Sequence, residues 1–528
     1  MKKTKIAAAL LVGVLAGLWN PAGMPEPLSG YTPGAVQAAE SKESYQPGIA
    51  GFTDVDAGRY YSRPVEWALQ NQITTGTSPT TFSPHSYCTR GQTVAFLWRI
   101  AGEPEPTSLE TGFVDVPAGS YYAKAVAWAV ENGITTGKNP SVFDPDGLCT
   151  RGEFVTFLFR SLKISDFQSD RNRFSDVEEW RFYKLPIAWA VENGVTTGTG
   201  PDTFSPNEGC TRGQVVTFLH RWATTLNVRD CGAVPGDGGD DTDAINRAIE
   251  RAYTEEAVEA VYIPAGVYDI NAESGIRLKS GTTLQMDPSA LLEVRGNALE
   301  GYSVLRLENV HDVYISGGQI GGERYKHTGS SGEWGMGVGI YDSDNVCISN
   351  MSISRNWGDG IYLGTTSYQD DLDGCSNIRI EKCRIYDNRR SNISIVDADN
   401  VTIDGCTITD ANGKAPQCGI NIEPNRDASG RIPEDAVCTQ IRILNTTVNV
   451  REKGDYWGQF FCFMTINYPD NSIISARDIT IDNCRFNGDC GNYSGAGVRI
   501  SNTVIGGTFY DEQNTSLENV TYEEIWRG

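Results

Sequence analysis

The sequence predicts a multidomain chain, a triple α-helical repeat followed by an all-β solenoid of parallel coils. Three observations predict it. A pattern beginning FTDVDAGRYY around Asp54 returns as FVDVPAGSYY around Asp115 and FSDVEEWRFY around Asp176, each copy 61 residues after the last. Self-similarity at a constant period means one supersecondary unit copied and stacked. A shorter phrase, typified by NVTIDGCTI from Asn400, recurs through the second half. Finally, 528 residues are more than one hydrophobic core ordinarily organises.

The elements follow in order. Lys2, Lys3 and Lys5 precede an apolar run from Ile6 to Leu18, too short to span a bilayer comfortably. Residues 1–39 read as a signal peptide with cleavage near Ala38, so the protein is expected to be exported. No second apolar run of spanning length follows, and no membrane insertion is expected after cleavage. Each repeat, bounded at 51–104, 112–163 and 173–224, holds two stretches of helical spacing. The first carries Trp67, Trp128 or Trp189 (VEWAL, VAWAV, IAWAV), and the second follows CTR (TVAFLWR, FVTFLFR, VVTFLHR). Neither helix can bury its apolar face alone.

The recurring F-x-D-V, W-A, T-T-G, F-x-P and C-T-R-G-Q/E elements resemble the S-layer homology module, in the same order three times. That resemblance implies docking onto a pyruvylated secondary polymer of the Gram-positive cell wall, and a secreted protein attached to wall or S-layer. It implies that Arg90, Arg151 and Arg212 hold the anionic sugar group, a role for which a guanidinium fork is suited. It also implies that Gly76, Gly137 and Gly198 let backbone approach the ligand. CTRGQ in copies one and three lacks the acidic residue of the family pattern, which points to unequal occupancy of the three sites. The arginines also fit a purely helix-capping role.

After Trp222 the pattern changes. LNVRDCGAVPGDGGDDTDAINRAIERAY opens with a strand and a Gly-rich loop, then a helix capped near Asp241 or Thr242. Ala244, Ile245, Ala248 and Ile249 form its apolar face. The P-loop Lys-Ser/Thr is absent, so the Gly-Asp segment is not a phosphate loop. Downstream come NVCISNMSI from Asn345, NIRIEKCRI from Asn377, NVTIDGCTI, QIRILNTTV from Gln440 and DITIDNCRF from Asp478. Alternation puts Val346 and Ile348 on one face. Met351, Cys383, Cys406, Thr446 and Cys484 fall in one slot, predicting a column inside a solenoid. A second strand recurs as GIYD, GIYLG, NISIV, GINIE and MTINY, from Gly339, Gly360, Asn392, Gly419 and Met464. The opening GA-V-P-GDGGDDT, YIPAGVYDI and the string from GGERYKHTG to APQCGINIEPN resemble the pectate-lyase superfamily. This implies a right-handed parallel β-helix over 226–528 and action on polysaccharides.

There are thirteen cysteines, which in an exported chain suggest disulfides. Their repeated positions favour structural packing for most, with a few bridges left open. No Cys/His spacing of zinc type occurs, and no resident metal or other cofactor is expected. The 67 acidic against 44 basic residues leave a net charge of −23, which repels nucleic acid and anionic membranes.

Residues before the second strands and at their outward positions are expected to line one surface. Glycoside hydrolysis needs two carboxyl groups, for which Asp359 and Glu423 are the candidates, with Glu333 in reserve. Arg389 and Arg390 suit a uronate carboxylate and Trp334 a sugar ring. Arg324, His327, Asn421 and Lys414 complete the substrate-binding set. Each also has a plainer reading: Asp359 as a turn between glycines, the arginine pair as a solvated corner, Glu423 as a turn closed through backbone bonds. Asp370, Asp371 and Asp373 suit either calcium or a solvated loop. The leading function is hydrolysis of an acidic glycan. The alternatives are a lyase or C5-epimerase, with calcium possible for a lyase, and a non-catalytic adhesin or glycan-binding protein.

Overall fold

The computed structural model describes residues 51–366, 374–424, 437–450, 460–467 and 473–528. The signal-peptide segment and the Asp370–Asp373 cluster lie outside the described residues. The chain divides into two compact units at Ala223/Thr224.

In the first unit each copy contributes two helices: Ser62–Gln70 and Arg90–Ile100, Ala123–Glu131 and Arg151–Ser161, Lys184–Glu192 and Arg212–Thr224. The conserved phrase residues are the local devices that start them. Thr89 and Thr150 form reciprocal capping boxes with Gln92 and Glu153, and Thr211 and Gln214 exchange the same two bonds, so glutamine serves this cap as glutamate does. Asp54, Asp115 and Asp176 each accept two backbone N–H groups from the F-S/D-P turn of their own copy, at 2.7–2.9 Å.

The three copies close into a ring. The Cys88 N–H donates to the Cys210 carbonyl, Cys149 to Cys88, and Cys210 to Cys149. The arginines complete it: Arg90 Nε donates to the Phe143 carbonyl at 2.9 Å, Arg151 to Phe204 at 2.9 Å, and Arg212 to Phe82 at 2.8 Å. Each guanidinium also lies over phenylalanine rings of other copies.

This corrects two expectations. Arg90, Arg151 and Arg212 are 2–3 % exposed, so they are inter-repeat struts rather than open forks. The acidic partner comes from the next copy. Glu153 of the second repeat pairs with Arg90 of the first at 2.9 Å, while Arg212 meets only Gln92 at 3.4 Å. Gly76, Gly137 and Gly198 sit at φ +86°, +80° and +97°, and a Cβ there would lie 2.5–2.6 Å from the ring of Phe52, Phe113 or Phe174. The close approach that requires glycine is therefore made by the repeat's own phenylalanine.

The second unit is a solenoid of parallel strands. Helix Thr242–Thr254 precedes the coils and buries Ala244, Ile245, Ala248 and Ile249. Asp241 does not cap it with its side chain. Its carboxylate instead accepts the Val234 N–H at 2.7 Å, while Asp240 accepts that of Thr242 at 3.0 Å. Each recurring phrase is two strands, not one, broken at a left-handed residue. Asp344–Ser349 and Ser352–Ser354 flank Asn350, and Cys375–Glu381 and Arg384–Tyr386 flank Lys382. Asparagine tolerates that conformation better than most side chains.

Successive coils pair in parallel, Val346 with Ile378 and Ile378 with Val401. Their inward side chains, with Met351, Cys383, Cys406 and Cys484, form one continuous core, and Thr446 is buried in the same slot. Thr446 fits because its hydroxyl accepts the Cys406 N–H and donates to the Leu444 carbonyl. All thirteen cysteines are free thiols. The MTINY phrase is offset: the strand there is Phe461–Thr465, with Phe463 opposite Ile420.

Candidate functional site

The second strands of successive coils set the site. Tyr362 pairs with Ser394, and Ser394 with Asn421. These are the middle residues of IYL, ISI and INI, flanked by isoleucine or leucine buried in the core. Period-two alternation therefore points them to the outer face. Val396 and Glu423 follow two residues later in their own coils. The Tyr362 ring lies over Gly364, where a Cβ would stand 2.9 Å from it. Tyr362, Ser394, Val396, Asn421 and Glu423, with Trp334 and Arg390, line a small pocket of about 50 Å³ that opens to solvent.

Four sequence-predicted residues meet in this pocket: Trp334, Arg390, Asn421 and Glu423. Trp334 opens the strand Trp334–Tyr341 and is 53 % exposed. The Asn421 side-chain amide donates to Glu423 Oε2 at 3.1 Å. The Arg390 side chain is 19 % exposed and its Nη1 donates to Asp359 Oδ2 at 3.0 Å. Burial alone would lower the pKa of the Arg390 guanidinium. The Asp359, Glu423 and Glu333 carboxylates outweigh it and hold the guanidinium above its ordinary value.

Asp359 itself is displaced from the role expected of it. It is 0 % exposed, with Oδ1 accepting the Ser391 N–H at 2.8 Å and Oδ2 accepting Arg390. A carboxylate so enclosed acts through Arg390, not on a sugar. Glu333 stands one residue before Trp334, half-buried, with Lys414 Nζ at 3.7 Å.

The other predicted residues form a separate layer. The His327 side chain is buried, donates to or accepts from Glu323 at 3.0 Å, and stacks on Trp357 at 3.6 Å and 11°. Arg389 packs over the same indole at 3.6 Å, and its Nη1 donates to the Gly332 and Trp357 carbonyls. Burial, ahead of its charged neighbours, lowers the Arg389 guanidinium. Arg324 donates to the Asp387 carboxylate and to Asn412 Oδ1. Arg324, His327 and Arg389 are thus struts beneath the segment leading into Glu333 and Trp334, which corrects their assignment as substrate-binding groups. Burial, and behind it Glu323, pushes the Tyr302 phenol of this layer well above its ordinary range.

Sequence reasoning missed Tyr362, Ser394 and Val396. The signal was present, since Tyr362 and Ser394 occupy the same phrase position as Asn421. Among the described residues, Arg390 Nε, Ser391 Oγ, Ser394 Oγ and Asn421 Oδ1 are buried and have no hydrogen-bond partner. The His327 layer holds others, Tyr302 Oη, Glu323 Oε2, His327 Nε2, Asn356 Oδ1 and Trp357 Nε1; those of Arg390, Ser394 and Asn421 line the pocket and point to a polar occupant there. No group of three or more His, Cys, Asp or Glu among the described residues could hold a metal ion.

The S-layer homology domain matches residues 51–94, 112–155 and 173–216, and the right handed beta helix region matches 267–429. The chain joins three S-layer homology domains to a right-handed β-helix. It is a secreted protein attached to the cell wall or S-layer. No helix among the described residues is long and apolar enough to cross a membrane. Uncharacterized protein YclG of Bacillus subtilis is 33 % identical over 271 residues, 47 % of this chain and 46 % of that protein. An S-layer protein of Bacillus thuringiensis subsp. finitimus is 22 % identical over 170 residues, 32 % of this chain and 21 % of that one. The chain thus spans about half or less of the length of these relatives. Among solved structures, polygalacturonase of Erwinia carotovora ssp. carotovora aligns with a TM-score of 0.41 and 14 % identity, over 58 % of this chain and 95 % of that one.

Proposed function

We propose that this protein is a wall-attached enzyme that hydrolyses a glycan in the pocket of its β-helix, while the S-layer homology domains hold it on the secondary cell-wall polymer. The observation that carries the reading is a carboxyl group, Glu423, set in a pocket where Arg390 Nε, Ser394 Oγ and Asn421 Oδ1 are buried without partners. Glycoside hydrolysis needs one carboxyl group to protonate the leaving oxygen and a second to activate water or attack the sugar. With Asp359 enclosed, Glu423 and Glu333 are the two that remain near Arg390. Trp334 supplies an exposed aromatic face for a sugar ring. Arg390 orients the substrate, and Asp359 is its positioning residue. A lyase would need a base such as Lys414 or Arg389; Arg389 is engaged with two carbonyls and an indole, and Lys414 stands 3.7 Å from Glu333.

The test incubates the full chain with a panel of polysaccharides and follows reducing ends and unsaturated-product absorbance together. New reducing ends without absorbance are expected, falling at least ~100-fold in Glu423→Gln, within the range for loss of a general acid or base. Absorbance would replace hydrolysis by elimination. No product on any polymer would leave binding as the pocket's role.

A further inference from the structure

We infer that the pocket takes an uncharged, hydroxyl-bearing sugar ring and turns uronates away. This rests on the reading of the pocket as a glycan site and concerns which glycan. The charge balance is the first observation. Among the described residues Arg390 is the one cation lining the pocket, and it is already paired with Asp359 at 3.0 Å. Glu423 and Glu333 act on the same guanidinium. A uronate would bring a fourth carboxylate to a cation shared by three. Arg389 cannot relieve this, because its Nη1 is directed to the Gly332 and Trp357 carbonyls. Lys414 stands beside Glu333.

The second observation is the kind of polar atom left over. The Asn421 amide donates to Glu423, which leaves Asn421 Oδ1 as an acceptor without a donor. Glu423 is an acceptor when ionised. Ser394 Oγ, also unpartnered and 1 % exposed, can give or take a hydrogen bond. Arg390 Nε is a donor without an acceptor, so the pocket leaves both kinds of atom unmatched and calls for a ligand that donates as well as accepts. A carboxylate only accepts, whereas a sugar hydroxyl both donates and accepts. Leaving buried polar groups unmatched is what makes a site reject an analogue. Trp334, Tyr362 and Val396 offer the apolar surface that the C–H faces of a pyranose cover.

The test uses the full chain in affinity electrophoresis against matched pairs of polymers: galactan and polygalacturonate, mannan and polymannuronate, cellulose oligomers and polyglucuronate. At least tenfold tighter binding is expected to the neutral member of one pair. That binding should fall at least tenfold in Trp334→Ala, whose exposed side chain can be removed without disturbing the core. Glu423→Gln, which removes one of the three carboxylates, should bring the acidic member of the pair closer by threefold or more. Equal or tighter binding of an acidic polymer, lost in Trp334→Ala, would overturn the inference and leave the glycan site standing. Binding to no polymer, or binding unchanged in Trp334→Ala, would overturn both. Circular-dichroism melts of each variant separate loss of binding from loss of fold.

Discussion

Replacing Asp359 by asparagine tests the site at its base. Asp359 is fully buried and bonds both the Arg390 guanidinium and the Ser391 N–H. Asparagine keeps the volume and one acceptor but removes the charge, leaving the largely buried Arg390 without the carboxylate bonded to it and with only the more distant Glu423 and Glu333. Breaking a buried ion pair by removing one partner costs about 3–5 kcal/mol, and the acceptor retained puts this variant near ~3. The β-helix unit runs from Thr224 to Gly528. At about 2 cal/mol/K per residue, its unfolding entropy is roughly 0.6 kcal/mol/K, so the melting temperature should fall by about 5 °C. The assay is a circular-dichroism melt followed on the β signal, with Asp359→Asn, Arg390→Met and the double variant compared. Removing both charges should restore most of the loss, since an apolar pair of similar volume often replaces a buried salt bridge at little cost. A fall of less than about 1 °C in the single variant, or a double variant no better than Asp359→Asn, would refute the assignment of Asp359 as the group that holds Arg390 in place.

Two further predictions concern the helical unit. Arg212→Met removes the donor to the buried Phe82 carbonyl and should cost about 1–3 kcal/mol. Arg90→Met should cost more, because it also removes the ion pair with Glu153 at 2.9 Å, leaving that carboxylate with Lys138 as its remaining cation; the reverse order in paired denaturant titrations would contradict the ring of struts. Burial pushes the Cys88 thiol up from 9.0 to about 11. A pKa raised in the folded state gives stability that is complete below 9 and lost as pH climbs toward 11, up to roughly 3 kcal/mol for this thiol. Cys88→Ala should flatten the stability of the repeats over that window, and an unchanged slope between pH 9 and 11 would remove Cys88 as a source of it.

The fold was legible because both of its units repeat. The Asp54, Asp115 and Asp176 phrases return at a fixed period, and each carries its own cap and turn. The solenoid phrases keep their inward positions even where the loops between them change length. What the repeats do not display is where a side chain's polar atoms go. Arg90 reads as a surface fork, yet its partners Phe143 and Glu153 lie 53 and 63 residues on, in the next copy. Asp359 reads as a catalytic acid, but the loop one coil further supplies Arg390 and Ser391 to enclose it. His327, Trp357 and Arg389 come from three successive loops, and only their stacking shows that they support the site from below. A wrong partner across coils changes a residue's role without changing the local pattern.

The same stacking that hid these partners also bounds the pocket. The row that contains it runs Gly339, Tyr362, Ser394, Asn421, Met464 and Gly491 across successive coils. Neighbouring coils are about 4.8 Å apart, so the serine and asparagine together offer hydrogen bonds over little more than one pyranose. On one side the row is interrupted at Gly339, where the Tyr341 ring and the Ser303 hydroxyl fill the space a Cβ would take. On the other it meets Met464, packed with Phe461 and Cys418 in a separate apolar cluster. Between Gly339 and Met464 the hydrogen-bonding side chains of this row are those of Tyr362, Ser394 and Asn421, and Arg306 beyond Gly339 is paired with Glu308 at 2.7 Å. A longer glycan must therefore be gripped by Trp334 and the exposed loops on either side, while one ring alone is read by hydrogen bonds.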